Sequence, residues 1–268
     1  NMSIGTGLTK IEDRSGLFAN HYAGASGFKW LNDKYSSHFT LIIGQIPEQT
    51  YEGFSLSDNN FNHDTWLFFS EFSRKLSSDI TFTFNGMELF DRSRVNHTIN
   101  IITFLIGAEY KKNNLTLEGF VLPQTGNLGS IATNGDNNAH VLSFAAMFKS
   151  SLRFNVIIIE SNTLFFSADD NNTGNNVTSF FSSGQKPLSG LILDNENIGY
   201  ISDNLENLFA QSDRHFYEMP AGLGYESLGL FWNPCKCQKA GIVSTASFAL
   251  NSYNAGGSSL YYLKEELL

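Results

Sequence analysis

The feature that most constrains this chain is a series of paired stretches in which every second residue is apolar or aromatic. The clearest pair runs from Asp64 to Arg74 and from Ile80 to Phe90. Trp66, Phe68 and Phe72 on the first arm share a face with Ile80, Phe82 and Phe84 on the second, while Glu71 stands with Thr81, Thr83 and Asn85 on the other. Successive side chains of a strand point to opposite faces, so this spacing describes a hairpin with one greasy face and one wet one. A soluble sandwich alternates in the same way. Several such hairpins in series, with little charge in the arms, instead describe an antiparallel barrel with lipid outside and water inside.

The second hairpin joins Thr98–Tyr110 to Leu115–Leu122 through the polar run Lys111-Lys112-Asn113-Asn114. With Tyr110 facing Leu115, Ala108 faces Leu117, Ile106 faces Gly119 and Phe104 faces Val121, which makes one continuous apolar face. Glu109 then lies opposite Thr116, Gly107 lies opposite Glu118, and the two acids are diagonal neighbours on the wet side. A slip of one residue would push both carboxylates into the apolar layer. A third hairpin is expected from Val141–Phe148 and Leu152–Ile159 across Lys149-Ser150-Ser151, leaving Ser143, Ala145, Arg153 and Asn155 on the polar face. Gly222–Trp232 pairs with Lys239–Asn251, and Leu17–Trp30 with Tyr35–Ile46.

The tight turns expected near Leu76, Lys112 and Ser150 recur roughly every 36 to 38 residues, which fits arms of about ten residues, the length of a tilted bilayer-crossing strand. Longer polar segments alternate with them near 91–97, 124–138 and 167–220. Over 268 residues that interval gives one barrel domain of about 14 strands. One short helix interrupts the rhythm: Asp203 can cap Asp203–Gln211, with Glu206 at capping-box spacing, either covering a rim or folding into the lumen as a constriction.

Composition agrees with this reading and excludes others. Charged residues are 16%, low for a soluble domain, where roughly a quarter is usual, while aromatics reach 14%. A formal charge of −9 disfavours nucleic acid as a partner, because such a partner needs a basic face. The most apolar run, 99–108, is broken by Asn100 and Thr103 and is about half the roughly 20 residues of a spanning helix. Export would require a signal peptide removed ahead of Asn1.

Catalytic and metal motifs are missing: the sequence has no nucleophile elbow, no phosphate-binding glycine loop and no histidine pair at ligand spacing, so no enzyme, metal or cofactor is expected. Glu109 and Glu118 have the chemistry of a glycosidase acid and base, but acids on a wet strand face need no catalytic role. Asp169-Asp170-Asn171-Asn172-Thr173-Gly174 carries oxygen donors without the spacing of a calcium loop and reads as a solvated loop. Cys235 and Cys237 are too close for an unstrained disulfide and lack further ligands.

The phrases Leu41-Ile42-Ile43-Gly44-Gln45, Asn59-Asn60-Phe61, Asp64-Thr65-Trp66, Gly107-Ala108-Glu109-Tyr110, Leu115-Thr116-Leu117-Glu118-Gly119-Phe120 and Ala139-His140-Val141-Leu142-Ser143-Phe144 resemble the bacterial alginate-export-like outer-membrane porins. The resemblance implies a barrel in a Gram-negative outer membrane through which a polar solute diffuses. Two features depart from that family: the wet faces offer Glu71, Glu109 and Glu118 against Arg153, where the alginate exporter has a positive lumen, and the chain ends Tyr261-Tyr262-Leu263-Lys264-Glu265-Glu266-Leu267-Leu268 without a terminal aromatic.

The expectation is therefore an all-β, outer-membrane channel for small polar or charged solutes that leans towards cations, with lipid and solute as partners and oligomeric state open. Its pore would be lined by Glu71, Thr81, Thr83, Asn85, Glu109, Thr116, Glu118, Arg153 and Asn155. Trp66, Phe68, Phe82, Phe84, Phe104, Ile106 and Leu117 would face lipid. The alternative is a secreted carbohydrate-binding β-sandwich or jelly roll.

Overall fold

The structure, a computed structural model, describes residues 1–15, 19–46, 65–94, 97–129, 139–168, 176–184, 217–218, 222–235, 238–248 and 262–267. The expected helix at 203–211, the run from Asp169 to Gly174, and Cys237 lie outside these residues. The strands are β1 (Met2–Glu12), β2 (Ala19–Asn32), β3 (Ser37–Ile46), β4 (Thr65–Lys75), β5 (Ile80–Arg94), β6 (His97–Lys112), β7 (Leu115–Gly129) and β8 (Ala139–Phe154). They continue with β9 (Ile157–Phe166), β10 (Asn176–Val177), β11 (Phe181–Gly184), β12 (Tyr217–Glu218), β13 (Leu223–Cys235), β14 (Gln238–Phe248) and β15 (Tyr262–Leu267). From β2 through β9 and on through β13, β14 and β15 they form an 11-strand antiparallel meander, with β1 laid antiparallel on β2.

The short turns share one end of the sheet, and the residues that close them explain where the hairpins fold. A two-residue turn needs left-handed backbone, which asparagine tolerates better than most residues. Asn113 supplies it at φ 52 between β6 and β7, and Asn155 at φ 49 between β8 and β9. Both cases correct the sequence reading. Lys111 and Lys112 belong to the ladder, opposite Thr116 and Leu115, so Tyr110 faces Leu117 and Glu109 faces Glu118 directly. The offset is two residues, so every side chain keeps the face assigned to it. Lys149, Ser150 and Ser151 are likewise strand residues, and β8 runs on to Phe154. Asn155 is therefore an exposed turn residue and not part of the wall. Strands also extend into two segments expected as loops, since β5 reaches Arg94 and β7 reaches Gly129.

The sheet curls over its own inner face. A flat sheet would put β6 about 19 Å from β2, at roughly 4.8 Å per strand. Yet Arg14, on the connection from β1 to β2, touches side chains of β5, β6 and β7. One apolar cluster likewise runs from Ile11 on β1 to Tyr225 on β13. Among the described residues no ladder joins β1 to β15.

Candidate pore interior

The pleat sorts side chains onto the two faces of the sheet. On the outer face lie Trp66 and Phe68 of β4, Phe84 of β5, Phe104 and Ile106 of β6, and Leu228, Leu230 and Trp232 of β13, all exposed. Phe82 and Leu117 occupy the same face, half-buried between neighbours. Near the short-turn end Trp30, Tyr110 and Trp232 stand on this outer side, each two to four residues from its turn.

The inner face divides into two halves. Towards the long connections it is apolar: Leu67, Met87, Leu89, Ile101, Leu105 and Leu122 are all buried there. This corrects the expectation of a uniformly wet interior. Towards the short turns the inner face is polar from β4 to β8, while Ile158, Phe231 and Val243 form a second buried apolar cluster on β9, β13 and β14. One row of directly paired polar residues crosses the strands there. The row passes from Thr81 to Glu109, Glu118, Lys149, Asn162, Ser227 and Thr245. No residue of that girdle is apolar.

Glu109 and Glu118 form the sharpest point of the girdle, because like charges directly opposite each other destabilise a sheet. Arg14 resolves the conflict. Its guanidinium contacts Glu109 through Nη2, approaches Glu118 through Nε at 3.4 Å and donates from Nη1 to Thr83 Oγ1 at 2.8 Å. Lys111 adds a second contact to Glu109 from the rim, and register places Lys149 opposite Glu118. Beside this group His38 Nε2 lies 2.7 Å from Glu71 Oε1, and Asn85 Nδ2 donates to Glu71 Oε2 at 3.3 Å. Glu71, Thr83, Asn85, Glu109 and Glu118 are thus brought together, with Thr81 and Thr116 half-buried at their margin. Arg153 stands apart at the rim, donating to Asn233 Oδ1 at 3.4 Å.

The apolar half is crossed by a strap. After β9 the chain pairs β10 in parallel with His140 and Val141 of β8, then pairs β11 in parallel with Ala19 and Asn20 of β2. Between these anchors Phe180 and Phe181 are fully buried, the Phe180 ring against Phe166 at 5.5 Å. Gln124, on the inner face of β7, holds the strap as a second backbone would. Its Oε1 accepts from the Phe181 amide and its Nε2 donates to the Phe181 carbonyl, both at 2.9 Å. Thr103 and Ser143 complete the hydrogen bonding of the same amide group.

The sequence reading missed Arg14, His38, Lys111, Lys149 and Gln124. Alternation along β3 and β8 would have placed His38 and Lys149 on the inner face, whereas nothing local marks Arg14, which reaches its partners across 69 to 104 residues of chain. No metal-ligating group of three or more His, Cys, Asp or Glu occurs among the described residues. No model of a known protein family and no curated protein sequence matches the chain.

Proposed function

We propose that this protein is a transmembrane β-barrel of the bacterial outer membrane that passes small polar solutes by passive diffusion. The observation that carries the reading is the inversion of the two faces. Large apolar side chains such as Phe104, Ile106, Leu228 and Trp232 lie exposed outside, while Glu109, Glu118, Thr83 and Asn85 are turned inward. In water such an outer face would be an aggregation surface, because soluble monomers rarely expose contiguous apolar patches of this extent. Against lipid it is the expected wall, with Trp30, Tyr110 and Trp232 at the depth of an aromatic girdle. A sandwich would need a second sheet over an apolar face and polar residues outside.

The topology permits closure. Each strand runs opposite to the last, so β1 and β15 are antiparallel and can complete the ring. Pairing there would also cover the edge of β1 that no described strand covers, since unpaired backbone groups cannot face hydrocarbon. Solute would meet the polar girdle at the short-turn end and the strap towards the other, so the strap sets the narrow section. The carboxylates expected to favour cations stand among Arg14, Lys111 and Lys149.

The test is reconstitution. The purified chain should stay folded and monodisperse only with detergent or lipid, and should give stepwise conductance in planar bilayers. A chain that remains folded and monodisperse in detergent-free buffer overturns the reading.

A further inference from the structure

We infer that Arg14 is the residue that sets the ion preference of this pore, an inference that rests on the channel reading above. Arg14 is not part of the wall. It is carried inward by the connection after β1 and docks on the girdle at its two facing acids, Glu109 of β6 and Glu118 of β7. All three kinds of guanidinium nitrogen are engaged, by two carboxylates and the Thr83 hydroxyl from three neighbouring strands. The planar fork of arginine suits such a three-way contact, whereas a lysine ammonium on its flexible stem would not hold both acids at once.

The cations near these acids differ in position. The Lys111 side chain is 65% exposed at the rim, so solvent and salt screen it. The Arg14 side chain is 25% exposed, within the girdle itself. Lys149 faces Glu118 but belongs to the wall of β8. With Arg14 in place the three cations Arg14, Lys111 and Lys149 match the three acids Glu71, Glu109 and Glu118; without it the acids are in excess and the facing pair loses the bridge between them. Charged rings in a pore raise the local concentration of the opposite ion, so this single charge moves the preference. Arg14 therefore holds an otherwise acid-rich section close to neutral, suppressing the cation preference that the carboxylates alone would give.

The experiment compares reversal potentials in planar bilayers across a KCl gradient for the wild-type chain, R14Q, the double variant E109Q/E118Q and the triple variant R14Q/E109Q/E118Q. R14Q should shift the potential towards cation preference several-fold in permeability ratio, and E109Q/E118Q towards anions. The triple variant should fall between them. The R14Q shift should shrink in high salt as the screening length falls. A conducting R14Q channel with the wild-type reversal potential overturns the inference. If R14Q does not fold, E109Q/E118Q decides, and unchanged selectivity there overturns it too. A wild-type chain that inserts but passes no current overturns the channel reading itself, and the inference with it.

Discussion

A methyl group added at Gly107 would lie 2.1 Å from Cδ1 of Phe120 and 2.7 Å from the Gly119 carbonyl oxygen. Gly107 and Phe120 are directly paired across β6 and β7, so the missing side chain is the space the ring fills. Gly107→Ala should therefore force the ring aside and cost about 1–3 kcal/mol, the usual range for overpacking. Urea unfolding of the reconstituted protein would measure the loss, and Phe120→Leu in the same chain should restore part of it. The sequence showed Gly107 only as a polar-side neighbour of Glu118. The true pairing was hidden because Lys111 and Lys112 look like turn residues, and only the φ 52 of Asn113 moves them into the ladder. Register errors of two residues leave the faces intact, which is why the side of Glu109 and Glu118 was legible and their head-on meeting was not.

At the scale of elements, alternation made the hairpins visible and the strap invisible. β4 and β5 declare themselves through Trp66, Phe68, Phe82 and Phe84, because each strand repeats its pattern and its partner is adjacent in sequence. The strap has two buried phenylalanines in a run of Ser, Thr and Asn, and its holder, Gln124, lies 57 residues away from Phe181. No local pattern encodes that contact. Gln124→Ala would strand a buried amide and a buried carbonyl on Phe181, each worth about 1–3 kcal/mol when left without a partner. Amide hydrogen exchange at Phe181 should accelerate by at least tenfold in this variant, while the β4–β5 hairpin exchanges at its wild-type rate. Equal protection of Phe181 in both proteins would mean that the phenylalanine rings alone hold the strap.

For the molecule as a whole, the outer belt was the most legible property and the inner face the least. Trp66, Phe68, Phe104 and Ile106 were read as the lipid side, and all four are exposed on one side of the sheet. The inner apolar half, with Leu67, Phe69, Met87 and Leu89, was passed over because both faces of β4 are apolar near the long connections, through Trp66, Leu67, Phe68 and Phe69, where alternation carries no signal. Phe104 lies near the middle of β6, so Phe104→Arg should cost roughly 2–4 kcal/mol if that level is the bilayer midplane. Folding into liposomes from urea would read the cost, and a variant as stable as the wild type would mean that Phe104 does not face lipid.

The strap has one more consequence, for the order of assembly. Its anchors on β8 and β2 are separated by the whole run of intervening strands, so the segment is a chord across an arc. Meander hairpins join near neighbours and can form one after another, whereas a chord gains both anchors only once the arc has bent to its final girth. Contacts between such distant parts of the chain form slowly. Fixing the strap is thus expected late in folding, and its length in residues limits how far apart β2 and β8 can stand.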